Sequence, residues 1–569
     1  MLPIILYILG CFVSGLYLQG RAFSRLPWML LGSCAVLCAF YLTADQSPLP
    51  GFSVSSLSSG ETRDAEGNVP AWIAPPPAPV LEPRNDSVIA TALIHAERLD
   101  QSDIAAGLGW ALYLLGAAAI LMQPRCGLYL ILFLALIGDA LLMPWYPFVK
   151  GFSSRESLFF VHDAFIASPL ELYLLLTAIS WSARRMWQSD PHLRTGRLFW
   201  PGLAFFVCLV FGLAYGIATG GDLRIALWEA RGVFYLVPLI LLTTQLLERP
   251  AHVTTVLAIA LVAVFIKGVY ASLHYLLVLR GDLTGIEGIS EHGAAIHLNT
   301  LFVASLAVWI YRSSLLKRII MPLTIPFILM GYFAMQRRSA FVALATAFVL
   351  GFAVLYRQHR QLFWRIGPVF LLLSGAYVAA GWNSRSILAR PAQTIKSIYA
   401  AQLASNRDQS SNNYRVLENR NIDFTIHQHP FTGIGFGQKF SMLVPLPDIN
   451  FEWREYITHN SIMWIWMKAG IVGFFSMLCL FGLGVMGGAR ALDEFPLNDV
   501  KASLLTVTLY LVMHFMYACV DMSWDAASMV YVGVTMGVIN WAEWTATQRH
   551  RVGTALASPP VIEPTIDDR

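Results

Sequence analysis

Long apolar segments alternate with short polar segments along almost the whole chain. A segment of about 20 apolar residues spans the ~30 Å hydrocarbon core of a bilayer as a helix. Inside lipid, every backbone N–H and C=O group must be paired within its own segment. The pattern therefore predicts an all-α polytopic membrane protein with about fifteen transmembrane helices. Their predicted starts lie near residues 2, 27, 106, 127, 157, 198, 228, 253, 294, 319, 338, 366, 460, 502 and 526.

Basic residues are concentrated in every second loop between the predicted helices, as the positive-inside rule requires. If the N-terminus is outside, the clusters at 21–25, 184–197, 312–318 and 357–365 all face the cytoplasm. We therefore expect a bacterial inner-membrane protein with a periplasmic N-terminus and a cytoplasmic C-terminus. The first apolar run has no basic residues before it, which favours a retained helix over a cleaved signal peptide.

Two long polar segments interrupt this pattern, and both are predicted to face the periplasm. Segment 44–105 is rich in Pro, Ser and Gly and predicts a flexible loop with no chemistry of its own. Segment 383–458 mixes polar, aromatic and glycine residues, which is typical of a functional loop. The predicted domain plan is listed in chain order: 1–43, two helices; 44–105, the flexible loop; 106–197, helices three to five; 198–543, a membrane core that includes loop 383–458; 544–569, a disordered cytoplasmic tail.

Composition agrees with a protein embedded in a bilayer and excludes a nucleic-acid partner. The chain is 56% apolar and 13% charged, outside the range of ordinary soluble domains. Its net charge of +4 resides in short loops, whereas a nucleic-acid binder gathers basic residues on one face. The seven cysteines lack the spacing of a zinc or iron–sulfur site, so we expect no metal and no cofactor.

His459 stands at the predicted outward end of the thirteenth helix, next to the long loop. A histidine with an ordinary pKa near ~6.5 can accept a proton from a sugar hydroxyl at neutral pH. Thr458 or Asn460 can cap the helix that follows. The chemistry of the residue alone leaves a second interpretation open, that of an interfacial histidine at a helix end.

A glycine-rich sequence, His429-Pro-Phe-Thr-Gly-Ile-Gly-Phe-Gly, lies earlier in the same loop. A phosphate-binding loop would need a following Lys-Ser/Thr pair and a strand–helix context, and both are missing. We therefore interpret Gly433, Gly435 and Gly437 as a tight turn with glycine at positive φ, which shapes a site without binding phosphate itself.

Arginines at predicted outward helix ends form the third candidate feature. They are Arg231 and the neighbouring pair Arg337 and Arg338. Because basic residues are otherwise depleted on this face, the presence of each of these arginines requires a specific explanation. The planar guanidinium group binds pyrophosphate with two parallel hydrogen bonds and keeps its charge. The alternative is an arginine that reaches the lipid headgroups or pairs with an acid such as Glu229.

These motifs together resemble the signature of the O-antigen ligase/Wzy polymerase family over roughly residues 200–540. The glycine turn at 429–437 is followed by Thr458-His-Asn-Ser-Ile-Met-Trp and then Ala-Gly-Ile-Val-Gly, an order that is specific to the family. Arg415 resembles the family's arginine before the turn, and Arg231 its earlier helix-end arginine. Arg337-Arg338-Ser-Ala resembles a further arginine motif, for which we prefer Arg338 as the counterpart.

The resemblance implies a metal-independent, inverting glycosyltransferase that uses an undecaprenyl-pyrophosphate-linked glycan as donor. His459 would deprotonate the acceptor hydroxyl, and Arg231, Arg338, Arg337 and Arg415 would hold the pyrophosphate, while Asn460 and the turn from His429 to Gly437 would shape the site. The acceptor stays open between lipid A-core, another glycan and a protein, so ligase, polymerase and protein O-oligosaccharyltransferase are not separated. A transporter or flippase of lipid-linked saccharides is the rival class. A protein of that class is expected to have two repeated halves that contain interrupted helices.

Overall fold

The computed structural model describes residues 2–17, 32, 35, 36, 42, 103–142, 146–153, 167–188, 193–284, 286, 288–384, 386–400, 405–447, 449, 451 and 453–557, and within these it contains helices and no strand. The predicted all-α fold is therefore confirmed. The helices are α1 (Leu2–Tyr17), α2 (Asp103–Met122), α3 (Pro124–Ile137), α4 (Asp139–Leu142), α5 (Pro169–Trp187), α6 (Phe199–Ala218), α7 (Leu223–Leu246), α8 (Pro250–Leu273), α9 (Ala294–Ile310), α10 (Leu315–Ala334), α11 (Arg338–Gln358), α12 (Arg360–Gly381), α13 (Arg390–Tyr399), α14 (Asn406–Gln428), α15 (Ser461–Glu494), α16 (Asn498–Ala518) and α17 (Ala526–Ala557). A π-helical turn, His274–Val278, extends α8, and a 3₁₀ turn, Ile387–Ala389, precedes α13.

Eight of the described helices are long and apolar enough to cross a membrane: α6, α7, α8 with its π turn, α10, α11, α12, α15 and α16. Four shorter helices, α1, α2, α3 and α9, are also apolar. The chain is therefore a multi-pass membrane protein, whereas the count of about fifteen stays a prediction. Most of the helix predicted near residue 27 and nearly all of loop 44–105 lie outside the described residues.

The predicted disordered tail 544–569 starts too early. Helix α17 continues without a break to Ala557. The hydropathy signal ends near 543 because the sequence becomes polar, yet the first prolines come only at Pro559 and Pro560. Polarity ends a membrane span but does not by itself end a helix, and no proline interrupts this one. Residues 558–569 lie outside the described part of the chain.

Segment 383–458, predicted as a polar loop, contains two α-helices. Helix α14 begins after Ser405, whose hydroxyl accepts a hydrogen bond from the backbone N–H of Asp408 at 3.2 Å. This cap and the acidic residue in the first turn stabilise the helix start. The helix has no proline or glycine within 406–428, but its few apolar residues do not line up on one face. The apolar pattern therefore could not reveal it.

Helices α7, α15, α16 and α17 form the buried centre of the bundle, and α6 and α1 pack against α15. Close approach of α7 and α17 depends on small residues. A Cβ atom at Gly537 would lie 2.4 Å from Thr243, and one at Gly533 would lie 2.9 Å from the carbonyl oxygen of Leu236. Such small-residue contacts are the usual means by which helices associate inside lipid.

Candidate functional site

The glycine-rich segment 429–437 forms a tight turn inserted between helices α6 and α15. Gly433, Gly435 and Gly437 have φ values of 68°, 83° and 78°, which confirms the predicted positive φ. The backbone N–H of Phe436 donates to the carbonyl of Gly212 at 3.1 Å. The contact is so close that a Cβ atom at Gly435 would lie 2.3 Å from the Cα of Gly216. Glycine is required here both for conformation and for space.

Helix α15 is interrupted where it meets this turn. Gly470 has non-helical angles, φ 70° and ψ −179°. The indole of Trp466 donates to the carbonyl of Pro430 at 2.9 Å, and the N–H of Ile471 donates to the same oxygen at 3.2 Å. The N–H of Ile434 donates to the carbonyl of Met467 at 2.8 Å. The turn and the broken helix thus satisfy each other's backbone groups, as irregular backbone among membrane helices must.

A buried ion pair fixes the end of the turn. Lys468 Nζ lies 2.8 Å from Glu229 Oε1, and both side chains are fully buried. The other carboxylate oxygen of Glu229 accepts from the N–H of Gly437 at 2.6 Å, and Lys468 donates to the carbonyl of Gln438 at 2.6 Å. Glu229 is therefore the partner of Lys468, and it is not the partner of Arg231.

His459 lies directly before α15 and is held by helix α14. Its backbone N–H donates to Glu418 Oε2 at 2.9 Å, and its ring Nδ1 lies 3.1 Å from Glu418 Oε1. Glu418 is only 1% exposed, whereas the His459 side chain is 20% exposed. The ring of Tyr414 packs edge-on against the imidazole, with centroids 5.6 Å apart. Since Nδ1 faces Glu418, Nε2 is the nitrogen that these contacts leave for a substrate.

Asn460 provides the helix cap that the sequence allowed for either Thr458 or Asn460. Its side-chain oxygen accepts from the N–H of Met463 at 3.2 Å, and its amide donates to Asn419 on α14 at 2.7 Å. Two consecutive residues, His459 and Asn460, are thus tied to α14 by side-chain bonds.

Asp521, in the turn between α16 and α17, gathers several polar groups near the start of α15. Arg415 Nη2 lies 3.7 Å from Oδ2, the Ser339 hydroxyl donates to the same oxygen at 3.1 Å, and His292 Nδ1 lies 3.7 Å from Oδ1. Burial raises the pKa of Asp521, but the nearby His292 ring and the charges of Arg415 and Arg337 outweigh burial and hold this pKa below its usual range. The backbone carbonyl of Asp521 accepts a hydrogen bond from the hydroxyl of Ser461 at 3.0 Å. Ser461 lies two residues after His459.

The neighbouring arginines Arg337 and Arg338 have different surroundings. Arg337 contributes its charge to the Asp521 cluster. Arg338 Nε lies 3.4 Å from Asp408 Oδ1, and its terminal nitrogens donate to Asn412 at 3.0 Å and to Ser397 on α13 at 3.3 Å. Both arginines are therefore connected to His459 through α14 and Asp521.

Arg231 lies in a different set of contacts. Its Nε is 2.5 Å from Glu171 Oε1 on α5 and 2.6 Å from the hydroxyl of Tyr235, and Nη2 donates to the carbonyl of Val149 at 2.9 Å. Tyr235 also donates to Glu171. These bonds join α7 to α5 and to segment 146–153, and none of them involves the groups that hold His459, Arg338 or Arg415.

Sequence analysis missed Glu418, Asp408, Asp521 and His292. Helical spacing would have found part of this set, because positions 408, 412, 415 and 419 lie on one face of a helix at 406–428. That face contacts Arg338, Asp521 and Asn460. An adjacent face carries Tyr414 and Glu418, which contact His459.

Comparison with known proteins gives two matches. A family model described as O-antigen ligase matches residues 323–478, a range that includes Arg337, Arg338, Arg415, the glycine turn and His459. The O-antigen ligase of Salmonella typhimurium is 24% identical over 250 residues, which cover 42% of this chain and 56% of the relative. The match thus spans little more than half the length of the relative. Together the matches confirm the resemblance to this family that the motifs predicted.

Proposed function

We propose that this relative of the O-antigen ligases is a metal-independent, inverting glycosyltransferase of the bacterial inner membrane. In this proposal it transfers a glycan from an undecaprenyl-pyrophosphate-linked donor to an acceptor hydroxyl at the periplasmic face. The observation that carries the proposal is the shared dependence of His459, Arg415 and Arg338 on helix α14, inside the region that matches the family. One helix thereby carries Arg415 and contacts both the candidate base and Arg338.

The proposed step is a single displacement at the anomeric carbon of the donor sugar. The acceptor oxygen forms the new bond to that carbon and gives its proton to Nε2 of His459. The bond between the carbon and the pyrophosphate oxygen breaks, and the electron pair leaves with the pyrophosphate. Attack from the side opposite the leaving group inverts the configuration.

Negative charge grows on the pyrophosphate in this step, and positioned guanidinium groups stabilise it. Support comes from Arg415, whose Nε is buried and has no hydrogen-bond partner among the residues that the structure describes. An unpaired buried guanidinium N–H is costly, and an anionic ligand would satisfy it. Arg338 and Arg337 would contribute further charge. For Arg231, the proposal requires that phosphate replace Glu171, so this residue must be tested separately.

The acceptor defines the biological role. Transfer to lipid A-core would make the protein a ligase, transfer to another lipid-linked glycan a polymerase, and transfer to a protein an O-oligosaccharyltransferase. The same base and the same pyrophosphate ligands serve all three reactions. The turn from His429 to Gly437 would form the wall of the site in each case.

The test is replacement of His459 in a host whose own copy of the gene has been deleted. We expect His459→Ala, expressed at the wild-type level, to abolish long surface glycan on a gel. The matched control is His427→Ala, a histidine of α14 whose ring bonds to the carbonyl of Asp423 at 2.8 Å, one turn earlier. Wild-type glycan from His459→Ala would rule out the proposed base. Single attached repeats would indicate a polymerase, and long chains left on the carrier lipid a ligase.

A further inference from the structure

Glu418 is a buried carboxylate that binds the candidate base twice. It accepts the backbone N–H of His459 at 2.9 Å and contacts the ring Nδ1 at 3.1 and 3.2 Å. A carboxylate that is 1% exposed is costly unless it is paired and hydrogen-bonded. The two residues are 41 positions apart in sequence, so the contact exists only because α14 docks on the start of α15.

This contact decides which nitrogen of His459 can act. An ionised carboxylate only accepts hydrogen bonds, so the proton of a neutral imidazole must be on Nδ1. The lone pair is then on Nε2, the nitrogen away from Glu418. Tyr414, one turn before Glu418 on the same helix, packs edge-on against the ring and restricts its rotation.

We propose that Glu418 is a positioning residue for proton transfer by His459. It fixes the ring, selects the tautomer with a free Nε2, and stabilises the imidazolium that forms when the acceptor proton is taken up. This inference rests on the proposed function and adds to it. Glu418 acts through His459 and does not touch the acceptor or the pyrophosphate.

Two substitutions at Glu418 separate charge from shape. Glu418→Gln keeps the size and can still accept the backbone N–H of His459, but it carries no charge. Glu418→Asp keeps the charge with a shorter side chain. If the charge matters, the aspartate variant retains more activity than the glutamine variant. If Glu418 only supports the local structure, the order is reversed.

The measurements are the initial rate of surface-glycan formation after induction in the deletion host, and the binding of undecaprenyl pyrophosphate to the purified full-length protein. We expect Glu418→Gln to lower the rate by roughly 100-fold, within the range contributed by a positioned general base. Binding should stay within about twofold, because the arginines are unchanged. The control is Glu455→Gln, a carboxylate of the same segment that pairs with Lys439 at 2.5 Å, for which neither quantity should change.

The outcomes separate this inference from the proposed function. The inference is overturned if Glu418→Gln is as active as Glu418→Asp or more active. It is also overturned if both variants lose undecaprenyl pyrophosphate binding, or if both variants fail to fold. If His459→Ala is inactive and Glu418→Gln has the wild-type rate, only the inference fails. If His459→Ala remains active, the proposed function fails as well.

Discussion

The buried pair of Lys468 and Glu229 offers a quantitative test of how the glycine turn is held. Lys468→Met leaves the Glu229 carboxylate without its cation among apolar helices, although the N–H of Gly437 still donates to it. Glu229→Gln leaves the Lys468 ammonium without its anion, although the carbonyl of Gln438 still accepts from it. Removing one partner of a buried pair costs about 3–5 kcal/mol, because the other charge remains uncompensated. Each single variant should therefore lose about this much stability.

The double variant Lys468→Met/Glu229→Gln should be more stable than the sum of the two losses predicts. It contains neither of the two buried charges, and the substituted amide can still accept the N–H of Gly437. Its main remaining cost is the unpaired carbonyl of Gln438, about 1–3 kcal/mol. The two single losses sum to about 6–10 kcal/mol, so we expect a coupling energy of at least about 3 kcal/mol between the two positions.

The assay is reversible unfolding of the purified protein in mixed detergent micelles, applied to all four members of the cycle. The surface pair of Lys439 and Glu455 provides a control cycle, because Lys439 is 61% exposed and water screens its charge. The control should show little coupling. Additive losses for the Lys468 and Glu229 variants, within about 0.5 kcal/mol, would refute the reasoning.

Three further predictions concern the turn, the arginines and the Asp521 cluster. Gly435→Ala should abolish folded protein on size-exclusion chromatography, because its Cβ would lie 2.3 Å from the Cα of Gly216. The control is Gly220→Ala: Gly220 has φ 94° and no neighbour within 4 Å, so the substitution should cost only about 1–2 kcal/mol of backbone strain. Equal effects of the two substitutions would contradict this. Arg338→Ala should weaken undecaprenyl pyrophosphate binding by roughly tenfold or more and Arg338→Lys by less, as expected for lost charge-assisted bonds. Arg360→Ala, at the start of α12 and just beyond the opposite end of α11, should leave binding unchanged. Because the pKa of Asp521 is held below its usual range, its ion pairs stabilise the folded state above pH ~4 and this stability is lost as the pH falls through the folded-state pKa. Thermal melts from pH 7 to 3 should therefore show that Asp521→Asn is destabilised at pH 7 and has a weaker acid dependence, and parallel curves for the variant and the wild type would exclude this role.

The sequence by itself was sufficient for the features that depend on local chemistry. Apolar segments of sufficient length must be helical in lipid, so the helices from α6 to α11 begin close to their predicted positions. The positive φ of Gly433, Gly435 and Gly437 followed from the residue type and the spacing alone. His459, Arg231, Arg337 and Arg338 were proposed as site residues from their positions at helix ends and from the motif, and Arg415 from the motif alone; these roles stay predictions.

Only the tertiary structure decided which charged groups meet. Lys468 pairs with Glu229, and Arg231 with Glu171, because the tertiary fold brings side chains from helices distant in sequence within reach of each other. Glu418 reached His459 because a polar helix, invisible to an apolar pattern, docks on the start of α15. The physical reason is that apolar periodicity specifies which residues are buried, whereas the partner of a buried charge depends on how the helices pack against one another.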